Sequence, residues 1–244
     1  MNKQPYISIA IPCYDINGKG GEVLDYSMNI INNQTFKDIE VVISDHSKIG
    51  ENDVENIYNK WKNNLNIIYF RNSDTIGSPS VNTNYSIALS NGKLIKLLCQ
   101  DDYLSDEYSI EKTVNSFTDK YDWLISSYIH SKDRKNFYYR HSPTVCQNIH
   151  IENLIGTPSC VCIRNKKDNI IFDNKLRFMY DCEYYYRMRR VYGEPKILDD
   201  ITMVNYIWEG QVTSTFSDKD FYNEKVYVIK KINRMKKIDN ICKI

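Results

Sequence analysis

Four aspartates at three places in this 244-residue sequence could do chemistry together: Asp15, Asp45 and the adjacent pair Asp101-Asp102. The pair closes an apolar run, Leu94-Ile95-Lys96-Leu97-Leu98, that reads as a buried strand. Side chains alternate along extended backbone, so two neighbouring carboxylates point in different directions. One can face a ribose or a base while the other faces a cation. Acids at the C-terminal ends of strands in an open α/β sheet lie where such sheets bind ligands. The plainer explanation of the pair is a polar turn, with an aspartate capping a helix that starts near Ser105.

The elements that must position these acids can be read from hydrophobic periodicity. Tyr6 to Ile11 is a β-branched strand closed by Pro12, followed by a glycine-bearing loop to Gly21 and a helix from Glu22 to Asn33. Ile39 to Ser44 is a second strand running into Asp45, and Asp53 to Trp61 a second helix. Asn66 to Phe70 is the third strand, and a helix from about Pro79 to Ser90 leads into the strand before Asp101. Four strand-then-helix units in succession imply a parallel, three-layered α/β sheet. Right-handed crossovers then place Asp15, Asp45, Asp101 and Asp102 along one edge. An acidic edge suits a cation or sugar hydroxyls better than bare phosphate. No GxGxxG or GxxxxGK loop is present, which argues against dinucleotide and P-loop chemistry.

Beyond Ser105 the pattern becomes α+β. Tyr108 to Phe117 reads as a helix, Trp123 to Tyr128 as a strand, and His130 to Pro143 as a loop without a period. Thr157 to Ile163 and Ile170 to Phe172 are strand candidates, Asp181 to Val191 a helix, and Thr202 to Trp208 a last short strand. Residues after Glu224 form a basic amphipathic helix. It suits either an anionic membrane surface or, more commonly, docking through its apolar side with lysines in water.

Bulk properties bound the function. The formal net charge of +1 gives no reason to expect nucleic-acid binding. The seven cysteines include no CxxC pair and mostly sit in apolar runs, as buried thiols do in a reducing compartment. The four histidines show no metal-ligand spacing. No signal peptide or bilayer-spanning apolar run is evident, so a cytoplasmic protein is expected, with the C-terminal helix the place for any peripheral membrane contact.

Several stretches together resemble the family-two glycosyltransferases of the GT-A fold. Ser8 to Asp15 looks like that family's strand ending in Pro-x-Tyr-Asn. Asn33-Gln34-Thr35-Phe36-Lys37-Asp38-Ile39-Glu40-Val41-Val42-Ile43-Ser44-Asp45 is the most specific match. Gly77, Asn84, Ala88 and Gly92, followed by the strand into Asp101-Asp102, match its donor-side block. Met179 to Arg187 looks like its acidic helix start and Val212-Thr213 like its closing segment. The resemblance implies a Rossmann-like, mostly parallel central sheet flanked by helices, with a smaller α+β acceptor-side portion. It implies one domain over residues 1–220, its donor half at 1–104 and its acceptor half at 105–220, with the basic helix at 221–244.

The resemblance also implies roles. Pro12 and Tyr14 would shape the nucleotide loop, Asp45 would accept from a uracil-type imide, and Asn84 would belong to the nucleotide-sugar site. Asp101 would bind ribose hydroxyls, and Asp102 would hold a divalent cation, Mn2+ or Mg2+, bridging the donor's phosphates. Asp181 would be the catalytic base of an inverting transfer from a nucleoside-diphosphate sugar, with UDP as the expected nucleotide. Glu183 is the alternative base, although helical geometry turns it about 200° from Asp181. Ser159 and Trp208 would stand on the acceptor side, and the acceptor would be a glycan, a lipid-linked group or a protein. The chain departs from the family pattern at Cys99, where many relatives carry an acid, and at Trp208, where many carry a histidine. Two rival functions remain at this level. One is a sugar-nucleotide nucleotidyltransferase using Gly18-Lys19-Gly20-Gly21, and the other is a non-catalytic member that binds a glycan or partner.

Overall fold

The computed structural model describes residues 3–73, 77–211 and 217–241. Its first half is β1 (Ile7–Cys13), α1 (Gly20–Asn32), β2 (Ile39–Asp45), α2 (Asp53–Trp61), β3 (Ile67–Arg71), α3 (Pro79–Ala88) and β4 (Leu94–Leu97). These strands pair in the order β3-β2-β1-β4, all parallel. The cause is visible in the chain. Runs such as Ile9-Ala10-Ile11 and Val41-Val42-Ile43 are buried on both faces, as parallel strands covered by helices must be. Pro79 starts α3 with its fixed φ, and the Ser78 hydroxyl accepts from the Val81 amide.

The second half adds β5 (Tyr103–Leu104), α4 (Ser109–Ser116), β6 (Trp123–Ser131), β7 (Phe137–His141), β8 (Val161–Arg164), α5 (Tyr180–Tyr192), β9 (Lys196–Tyr206) and α6 (Asp218–Ile241). The sheet continues from β4 as β8-β6-β9-β5, with β7 on β6. Parallel pairing holds in the first four strands and between β6 and β9. The pairings β4–β8, β6–β8, β5–β9 and β6–β7 are antiparallel. The sheet is therefore mixed, and "mostly parallel" describes its donor-side half only.

Four expectations are corrected here. The stretch His130 to Pro143 forms the end of β6 and the hairpin strand β7, whose turn is organised by Asp133 accepting from Lys135 and Asn136 amides. Ile170 to Phe172 is not a strand, because its amides bond to the Tyr192 hydroxyl and the Asn84 side chain instead of a neighbour. No helix starts at Ser105: Tyr103-Leu104 is a strand, and the Ser105 amide donates to Thr202. Thr157 to Cys160 is a capped turn and short 3-10 helix before β8.

Two core clusters cover the two faces of the sheet, one built on Ile9, Leu24, Met28 and Val54, the other on Trp123, Ile125, Tyr184 and Met188. A third, smaller cluster unites Leu176, Met179 and Cys182 with Val228 and Ile232 of α6. The C-terminal helix thus starts before residue 221 and docks through its apolar side onto the base of α5. Cys13, Cys160, Cys162 and Cys182 are buried free thiols, while Cys242 and the Val212-Thr213 segment lie outside the described residues. Among the described residues no helix is long and apolar enough to cross a membrane.

Candidate active site

The strand ends form one acidic edge, and the two adjacent aspartates on it differ in exposure and partners. Asp102 is only 1% exposed. One of its oxygens accepts from Asn205 Nδ2 at 2.8 Å and the Tyr206 amide at 3.1 Å, and the other from Thr157 Oγ1 at 3.2 Å. Burial, then the charge of Asp101, pushes its carboxyl up to about 7. Asp102 thus faces inward and ties β4 to the end of β9. Asp101 is the member that reaches the surface; its Oδ2 accepts from Trp208 Nε1 at 3.0 Å, and burial raises its carboxyl as well. Trp208, expected on the acceptor side, stands on the donor-side pair.

The turn carrying this pair is held from three directions. Gln100 accepts from the Tyr14 amide at 2.7 Å and donates to the Gly20 carbonyl at 2.8 Å, joining the β1–α1 loop to the β4 end. Ser159 is fully buried and its hydroxyl accepts from the Cys99 amide at 2.8 Å, so it shapes the turn rather than lining an acceptor pocket. Below the turn, the fully buried Lys96 donates to the Ser159 carbonyl, and burial lowers its pKa. Cys99 stays a neutral thiol, because burial and then the charges of Asp102 and Asp101 push it up.

Asp181 enters the site from α5. Its Oδ2 accepts from Asn153 Nδ2 at 2.7 Å, and its Oδ1 accepts from the Cys182 amide at 2.6 Å. Burial raises its carboxyl to about 6. Burial, then the charges of Cys99, Asp181, Asp101 and Asp102, push the Tyr180 hydroxyl well up. The backbone ahead of α5 is gripped by α6, where Glu224 accepts from the amides of Arg177, Phe178 and Met179 at 2.8–2.9 Å.

One loop connects the centres. Asn153 reaches Asp181, Thr157 reaches Asp102, and Ser159 reaches Cys99. Gly156 in its middle adopts φ +105, and a Cβ there would lie 2.3 Å from the Tyr128 hydroxyl. Gly156→Ala is expected to cost about 1–2 kcal/mol from backbone handedness alone. It should lower turnover while leaving nucleotide affinity intact. Thermal melting beside titration with UDP checks this; equal loss of both would show that the loop does not serve Asp181 separately. Asn153, Thr157 and Gln100 carry no motif in the sequence. Only their distant partners reveal them.

Other expected site residues are placed as follows. Asp45 is fully buried, with Oδ1 accepting from the Ser47 amide and hydroxyl and Oδ2 from the Tyr69 hydroxyl and Arg71. It is not an open acceptor for a base, because its register partner in β3 is Arg71, whose guanidinium pairs with it. Asn84 accepts from the Phe172 amide and donates to the Phe172 carbonyl and Asn174, so it staples the segment before α5 and leaves the donor edge. Its neighbour Asn82, which bonds Ser44 and the Cys13 carbonyl, braces that edge instead. Pro12 and Tyr14 remain partly exposed at the end of β1. Gly20 and Gly21 lie inside α1 and do not form a phosphate cradle.

Among the described residues no three histidines, cysteines, aspartates or glutamates cluster to hold a metal. Asp102, expected to ligate the cation, makes internal hydrogen bonds through both oxygens in this structure. Asp101 fits a hard cation that takes one protein carboxylate and completes its shell with phosphate oxygens and water.

Residues 8–190 match the family described as Glycosyl transferase family 2. The chain is 23% identical over 228 residues to the glycosyl transferase WcaA of Escherichia coli (strain K12), which is named for colanic acid biosynthesis. That match covers 91% of this chain and 79% of WcaA. Among solved structures it is similar to S. aureus TarS 1-349 in complex with UDP-GlcNAc, with a TM-score of 0.67, 18% identity and 87% of this chain covered. It is also similar to the mannosyltransferase PcManGT of Pyrobaculum calidifontis in complex with GDP-Man and Mn2+, with a TM-score of 0.60, 11% identity and 85% covered. This chain spans 61% of that TarS structure and 59% of PcManGT, under two thirds of each. These structural likenesses establish the fold.

Proposed function

The chain belongs to glycosyl transferase family 2, and on that premise we propose that it transfers a sugar, with inversion, from a UDP-sugar to an acceptor hydroxyl. The observation that carries this reading is Asp181 at the start of α5, its carboxylate fixed by Asn153 and the Cys182 amide, on a chain that matches the family. The Asp181 carboxyl, raised to about 6, suits a general base, and in this reading Asp101 at the end of β4 would face the diphosphate. The TarS complex with UDP-GlcNAc supports UDP as the nucleotide.

Asp181 takes the proton of the acceptor hydroxyl as the new bond to the anomeric carbon forms. The bond from that carbon to the diphosphate breaks, and its electron pair leaves with the diphosphate. Asn153 and the Cys182 amide fix the carboxylate so that it need not reorganise during the step. Asp101 would hold a divalent cation, which when bound would offset the charge on the departing diphosphate. In this reading residues 1–104 serve the donor and residues 105–220 the acceptor, which is a glycan, a lipid-linked group or a protein. The reading includes a cytoplasmic location. The basic surface of α6 is where contact with a membrane would occur.

Release of UDP from UDP-GlcNAc and other UDP-sugars, with and without Mn2+, tests the proposal. Release that depends on Asp181 is the expected outcome. Binding without any release would identify a non-catalytic binder. Thermal stabilisation by GDP-, dTDP- or CMP-sugars and not by UDP-sugars would replace the nucleotide.

A further inference from the structure

Beside Trp208 lies a cavity of about 380 Å³ whose residues have no role in the step described above. Its walls gather three cations from distant parts of the chain: Lys19 from the β1–α1 loop, and Lys132 and Arg134 from the β6–β7 turn. Two carboxylates also line it. Glu209 accepts from Lys19 at 2.9 Å, but both side chains are largely exposed, so this pair opens easily. Glu22 is 3.7 Å from Arg134, beyond hydrogen-bond range.

Arg134 is built into the wall with unusual care. Its guanidinium is layered between the rings of Tyr26 and Tyr206, at 4.3 and 4.7 Å from their centroids. Its backbone holds φ +62, an uncommon conformation for arginine, fixed by the Ser131 hydroxyl accepting its amide. Its Nε is buried and has no hydrogen-bond partner. The Arg134 side chain is 17% exposed, so the remaining guanidinium donors are what the cavity offers a ligand. A planar guanidinium held at fixed tilt, with two ammonium groups alongside, matches phosphate oxygens. Tyr206 stacks in turn on Trp208, whose indole also bonds Asp101.

We propose that this cavity is a phosphate-binding subsite of the enzyme, anchored by Arg134 with Lys132 and Lys19 beside it. Its position rests on the donor-edge reading above, since Trp208 is shared by the cavity and Asp101. The phosphate therefore comes from a ligand of the reaction: the donor's diphosphate or a phosphate group on the acceptor.

Titration of the full chain with UDP, uridine and glycerol phosphate tests this, using Arg134→Met, the conservative Arg134→Lys and the exposed-site variant Lys132→Ala. Thermal melting controls for folding. Arg134→Met is expected to weaken one phosphate-bearing probe about tenfold or more, with partial rescue in Arg134→Lys and uridine unchanged. Weaker UDP binding assigns the subsite to the donor. Unchanged UDP and weaker glycerol phosphate assign it to the acceptor. Folded variants that bind all three probes as the parent does overturn the subsite. Failure of the parent chain to bind UDP, with Arg134-dependent glycerol phosphate binding intact, overturns the donor reading and leaves the subsite standing.

Discussion

Asp181→Asn is expected to lower sugar transfer by about 10²- to 10⁴-fold, the usual worth of a positioned general base, while UDP affinity stays unchanged. The substitution keeps the shape of the side chain and its bond from the Cys182 amide, so the loss reports proton acceptance and not folding. Asp181→Ala should behave alike. The pH profile supplies an independent check. Burial raises the Asp181 carboxyl to about 6, so it is protonated and unable to accept a proton below that pH. Turnover should therefore fall about tenfold per pH unit below about 6 and level off above it. An acid limb retained in Asp181→Asn would move the base elsewhere. Glu183 is a poor substitute, because it is fully buried and paired.

That pairing sets the second large effect. Glu183 accepts from Arg187 at 2.6 Å on both oxygens and meets Lys231 of α6 at 2.7 Å. Glu183→Gln is expected to destabilise the fold by about 3 kcal/mol, the lower end for breaking a buried ion pair. The lower end applies because the Arg187 and Lys231 side chains keep 17% and 26% of their surface in water. For a chain of this size that is roughly a 6–12 °C fall in Tm. A fall under about 2 °C would mean that Asp173, which also accepts from Lys231, holds α6 in place unaided.

The donor half of the fold was legible because its strands are buried on both faces and its helices show one apolar side. The helix Asp53–Trp61 and the strand ends at Asp45 and Asp101 appear where periodicity places them. The hairpin at Phe137–His141 was illegible for a physical reason: it is exposed along most of its length, so no alternation marks it. Ile170 to Phe172 has a strand's composition, but Asn84, far away in sequence, claims its backbone. The site was half legible. That acids stand at the ends of β2 and β4 and at the start of α5 follows from the motifs. Which of Asp101 and Asp102 turns inward does not, because Thr157, Asn205 and the Tyr206 amide decide it. Asp45 misled for the same reason, since Arg71 and Tyr69 fill its two oxygens from the neighbouring strand.

The grip of Glu224 on the backbone before α5 has a consequence for the order in which the enzyme comes into being. The donor edge is complete only once β9 and Trp208 have emerged from the ribosome, because Asn205, the Tyr206 amide and Trp208 hold Asp102 and Asp101. The carboxylate that steadies the helix of Asp181 lies 45–47 residues later in the chain than the amides it accepts from. At about 5–20 residues per second this is a delay of roughly 2–10 seconds. During that interval the helix of Asp181 lacks the carboxylate that later holds its leading backbone, so the base is the last part of the site to be steadied.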